Sequence, residues 1–150
     1  AFRWREANAE LDALRLDGPH SARVALLQGV RLIATDRVAG SALIERAMRE
    51  TAEGGLRDEE RAYAAAWLAT DLAEVRRHLE EALQANPVHA PSLLLLVPVL
   101  IWSGQARDCL QILDRAQAWL PRQIELLTRL ATLALCEGPG PSRELLARRQ

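Results

Sequence analysis

Lysine is absent from this 150-residue chain; its 19 basic residues are all arginine. We read that as the biased coding of a GC-rich bacterial genome. Set against 20 acidic residues they leave a net charge of −1, so no global field exists to gather nucleic acid or anionic lipid. Long apolar runs are also missing. The longest, Leu93 to Trp102, contains Pro98 and falls far short of the roughly 20 residues that cross a bilayer, which excludes membrane insertion and predicts a buried helix. The two cysteines, Cys109 and Cys136, make no metal motif and sit in apolar surroundings; buried reduced thiols are the first expectation, a disulfide or a reactive thiol the second. No Met opens the chain, and we expect a piece of a longer, cytoplasmic protein.

Chemistry is thin as well. His20 and His89 neighbour prolines in turns, and His78 lies among Arg76, Arg77, Glu80 and Glu81, none at metal-ligand spacing. Gly54-Gly55 lacks the Lys-Ser/Thr of a phosphate-cradling loop, and Glu59-Glu60 and Glu80-Glu81 read as helix surface. The expectation is a protein without catalytic residues, metal or cofactor.

What is present is a hydrophobic fraction of 49%, enough for one domain with a core, and a period. A shift of 34 carries Leu79 onto Leu113, Ala82 onto Ala116, Pro87 onto Pro121 and Gly104 onto Gly138. A shift of 35 backward carries Leu79 onto Ile44, Ala82 onto Ala47, and Thr70-Asp71 onto Thr35-Asp36. Each unit reads as two helices. A turn residue (Thr35, Thr70, Gly104, Gly138) closes the first, with glycine suited to positive φ. Asp36 and Asp71 are placed to cap the second, and Asp71 with Glu74 has capping-box spacing. The second helices carry amphipathic stripes, Leu72-Val75-Leu79-Ala82-Leu83 and Ala106-Cys109-Leu110-Leu113-Ala116, and end before Pro87 and Pro121. Pro98, inside a first helix, is expected to kink it at a cost near 3 kcal/mol by removing the donor to the Leu94 carbonyl.

The patterns Leu79-x-x-Ala82-x4-Pro87 and Gly104-x4-Cys109-x3-Leu113-x-x-Ala116-x4-Pro121 resemble tetratricopeptide repeats. The resemblance implies an all-α, right-handed solenoid of antiparallel helix pairs with about eight to nine helices: a leading helix over 3–16, repeats over 21–54, 56–89 and 90–123, and a truncated one over 124–150. It departs from the family at the first-helix aromatic places (Val24, Glu59, Leu93, Leu127) and at three small-residue places (Gln28, Tyr63, Val97). The neighbouring pentatricopeptide repeats, which bind RNA, are disfavoured by the net charge and by the lack of a repeated polar specificity pair.

By the same resemblance the first helices line a concave groove for a protein or peptide partner. The residues carried over are Ala22, Ala25, Gly29 and Leu32; Arg57, Glu60, Arg61, Ala64 and Trp67; Leu94, Pro98, Ile101 and Trp102; and Glu125, Thr128, Arg129 and Thr132. Trp67 and Trp102 are the expected anchors, Arg57, Arg61 and Arg129 the charged rim, with space-filling between helices as the competing role for both tryptophans. The carboxylate clamp of some relatives needs Lys and Asn in the groove; lysine is missing, and Asn8 and Asn86 lie elsewhere. A self-associating array, or a regulatory or positioning segment of a larger enzyme or transcription regulator, are the alternative readings.

Overall fold

The computed structural model describes residues 9, 10, 13, 20–50 and 55–116, and among these every regular element is a helix. Six are bounded: α1 (Ser21–Leu32), α2 (Arg37–Arg49), α3 (Asp58–Leu68), α4 (Leu72–Ala85), α5 (Ala90–Trp102) and α6 (Ala106–Ala116). The expected leading helix and fourth repeat, on which a total of eight or nine helices depends, lie outside the described residues, apart from helical positions at 9, 10 and 13.

Local chemistry sets the pairing. The Asp36 carboxylate accepts from the Ala39 N–H at 2.9 Å and that of Asp71 from the Glu74 N–H at 2.8 Å, so both expected caps form. Gly104 takes φ +74°, the left-handed turn that its side-chain-free backbone permits, in the connection from α5 to α6. Connections this short return each second helix antiparallel to its first. The helices pack as consecutive neighbours, most intimately within the first two pairs.

Two clusters make up the core. One joins Ala22, Ala25 and Leu26 of α1 to Ile44 and Ala47 of α2 and to Leu56 and Ala64. The other joins Ala66 of α3 and Leu79 of α4 to Leu93, Leu96, Val97 and Leu100 of α5 and Cys109, Leu113 and Ala116 of α6. Tyr63 packs against both, so α3 ties the clusters together. Ile44, Leu79 and Leu113, aligned by the period, are fully buried, as are Ala47, Ala82 and Ala116. Leu72, placed by periodicity on the same stripe, is instead exposed, because it starts α4 before the helix reaches the core.

The helices of the first pair approach closely. A Cβ on Gly29 would lie 2.7 Å from Ile44 Cγ1 and 2.8 Å from the Gly40 carbonyl oxygen; one on Gly40 would lie 2.7 Å from the Ile33 nitrogen. The small residue of the crossing is therefore Gly29; Ala64 of α3 is buried in the same first-pair cluster, and Ala66 is the small residue of α3 that clusters with Leu79 of α4. At this crossing the small residue thus stands one place after Gln28.

Pro98 does not break α5, which runs through it. Pro98 and Leu94 both face solvent, so water can satisfy the Leu94 carbonyl that has lost its helical donor.

Candidate functional site

Single side-chain contacts link the first helices. Arg23 of α1 donates from Nε to the Glu60 carboxylate of α3 at 2.7 Å. The Tyr63 ring of α3 meets the His89 ring, at the start of α5, edge to face at 5.6 Å. The Asn86 amide donates to the Glu59 carboxylate at 3.3 Å. In the other layer Arg76 of α4 reaches the Gln105 side chain just before α6.

The outward surface of α5 is formed by Pro91, Leu94, Pro98 and Trp102, with Leu95 and Ile101 half-buried at its margins. The spacing of three and four places these residues on one side, opposite buried Leu93, Leu96, Val97 and Leu100. Trp102 is 82% exposed and Leu94 54%. No residue of α5 carries a charge. On α1 the matching solvent-facing apolar residue is Leu27, 55% exposed, which lies off the Ala22-Ala25-Leu26-Gly29 stripe. Periodicity alone could have singled it out. Val38 and Leu72 are further exposed apolar residues, at the starts of α2 and α4.

The residues expected to line a groove separate into groups. Leu94, Pro98, Ile101 and Trp102 come together on α5. Arg57 is exposed, with only a 3.9 Å approach to Glu59. Ala22, Ala25 and Ala64 are fully buried and Gly29 lies in the helix crossing, so none of the four can touch a partner; packing against α2 and α3 uses their small size instead. Leu32 is half-buried. Glu125, Thr128, Arg129 and Thr132 lie outside the described residues.

Arg61 has a structural use as well. Its guanidinium donates to the carbonyls of Leu56 at 3.1 Å, Met48 at 2.9 Å and Glu50 at 3.1 Å. It fastens the chain on both sides of the α2–α3 connection, a use that leaves little of it for a rim. Trp67 is half-buried: its ring meets Tyr63 edge to face at 6.3 Å, and its N–H is buried without a hydrogen bond of normal geometry. Burial raises the Tyr63 phenol above its ordinary range, and the nearby Trp67 N–H offsets part of the rise.

The polar groups do structural work. Burial would raise the Glu60 carboxyl, but the Arg23 side chain, the Arg57 N–H at 2.8 Å and both arginine charges outweigh it and hold the carboxyl below its ordinary value. His89 Nδ1 lies 2.8 Å from the hydroxyl of fully buried Ser92; burial lowers this imidazole, with Glu59 and Glu60 pulling the other way. His78 sits on the surface of α4 between Arg77 and Glu81. Burial pushes the Cys109 thiol up to about 11, an inert side chain at neutral pH. Among the described residues no group of three or more His, Cys, Asp or Glu could hold a metal ion, and no helix is long and apolar enough to cross a membrane.

Neither the curated proteins nor the solved structures yield a match to this chain. The tetratricopeptide repeat family model does match, over residues 66–133, from within α3 through α4, α5 and α6. Over this stretch the chain is similar to tetratricopeptide repeats.

Proposed function

We propose that the helix pairs stack as a right-handed solenoid and that the chain is a non-catalytic scaffold holding a protein segment against the outward face of its first helices. Repeats of this family generally mediate protein–protein interactions. The observation that carries the finer reading is the uncharged face of α5, with Leu94 and Trp102 held in solvent. Large exposed apolar residues in one strip mark an interaction site, and an aromatic there is the usual anchor. A bound peptide or helix would supply apolar side chains along Pro91, Leu94, Pro98 and Trp102. Arg57, at the same end as the start of α5, is the cation available to orient it. Trp102 rather than Trp67 is the main anchor, since Trp67 is largely spent on Tyr63.

Selection of displayed peptides on the immobilised chain tests the reading, with the Leu94→Glu variant as the counter-target. The expected result is a family of peptides rich in apolar residues that bind the chain and lose binding on Leu94→Glu and on Trp102→Ala. Peptides that bind both variants as well as the parent chain would contradict it.

A further inference from the structure

We propose that the α5 face also pairs with the α5 face of a second copy of this chain, antiparallel, about a two-fold axis at Pro98. The strip from Pro91 to Trp102 spans about 16 Å of helix. Pro98 stands four residues from Leu94 and four from Trp102 on the same side. A two-fold axis at Pro98 therefore sets Leu94 of each copy against Trp102 of the other, filling the space beside a short side chain with a long one.

Charge favours this occupant. A two-fold contact brings each surface against itself, so any charge near the axis meets its like. The 13 residues of α5 include no Asp, Glu, Lys or Arg. Val38 adjoins Asp36 and Arg37, Leu72 adjoins Asp71, and Leu27 stands alone on α1 with Arg23 and Arg31 one turn away on either side. α5 is too short to cross a bilayer.

Area sets the strength. Trp102, at 82% exposure, presents about 200 Å², and the whole strip roughly twice that. A standard interface buries about 800 Å² per partner, so the pairing belongs with weak, concentration-dependent dimers. Pairing and peptide capture use one face, so self-association at high concentration would compete with a partner and keep the strip out of water until one arrives.

The test is sedimentation equilibrium of the whole chain from roughly 10 μM to 1 mM, where a pairing of this size begins to populate. The expected weight-average mass rises from 16.6 kDa toward twice that, and the Leu94→Glu variant stays at 16.6 kDa at every concentration. Leu94 is exposed, so unchanged helical circular dichroism should show that the variant folds. A Pro98→Cys variant in a Cys136→Ser background reads the axis directly: residues on a two-fold axis face each other, so mild oxidation should give a disulfide dimer, while Leu27→Cys in the same background should not. A mass fixed at 16.6 kDa, or an equal rise in Leu94→Glu, overturns the pairing; a dimer that Pro98→Cys fails to cross-link overturns its axis. The pairing does not rest on peptide capture: a strictly monomeric chain that still binds the selected peptides removes the pairing alone, and a dimer that selects no peptide removes the binding reading alone.

Discussion

Alanine is a better helix former than glycine by about 1 kcal/mol, so Gly40→Ala in the interior of α2 should stabilise the protein if only local propensity mattered. The structure predicts the opposite sign. The new Cβ would lie 2.7 Å from the Ile33 nitrogen, 2.8 Å from the Ile33 Cα and 2.8 Å from the Gly29 carbonyl oxygen. All three are backbone atoms that cannot swing aside, so α1 and the turn after it must move away from α2. Overpacking of this kind costs about 1–3 kcal/mol, and separating the helices also loosens fully buried Ile44 and Ala47. After the propensity gain we expect a net loss of about 1–2 kcal/mol, or a fall in Tm of several degrees for a chain of this size. Urea unfolding of the parent and of Gly40→Ala, followed by far-ultraviolet circular dichroism, measures it. A variant as stable as the parent, or more so, would refute the close α1–α2 crossing. The test is independent of the family match, which begins at residue 66.

Other predictions follow from side chains whose roles the structure defines. Arg61→Ala removes the donor shared by the Leu56, Met48 and Glu50 carbonyls and should cost about 2–3 kcal/mol in urea unfolding, whereas exposed Arg57→Ala should stay within about 0.5 kcal/mol; equal effects would contradict the fastening role. His89 is held below its ordinary 6.5, so the unfolded chain binds more protons than the folded one just below that pH. Stability should therefore fall as pH drops through 6.5, and His89→Gln should flatten that part of the profile; an unchanged slope would show that the half-buried imidazole is not its source. In a Cys136→Ser background, Cys109 should resist a thiol reagent at pH 8 in the folded chain and react at once in urea, and fast reaction without denaturant would contradict its burial.

The second helices were the legible part of this sequence. Their stripes alternate clearly with polar residues, and Asp36 and Asp71 mark their starts, so Leu79, Ala82, Leu113 and Ala116 could be assigned to the core from spacing alone. The first helices were harder because polarity does not mark their inner side. Ala22, Ala25, Gly29 and Ala64 resemble the floor of a groove in composition, yet their small size serves close contact with the neighbouring helices. In α5 only Ser92 interrupts an apolar sequence, so polarity does not announce the outward side, which carries Leu94 and Pro98. The structural use of Arg61 was not legible for a different reason: the carbonyls it serves belong to residues up to 13 positions away, a meeting that no periodic pattern reports.

The account turns on Trp102 standing in solvent as the anchor of the α5 face while Trp67 is packed against Tyr63. Acrylamide quenching of single-tryptophan variants, one keeping only Trp102 and the other only Trp67, measures this directly in dilute monomeric protein. The account predicts that Trp102 is quenched almost as readily as a free indole and that Trp67 is shielded several-fold. A Trp102 as shielded as Trp67 in the dilute chain would contradict it, because the α5 face would then already be covered and could anchor neither a peptide nor a second copy.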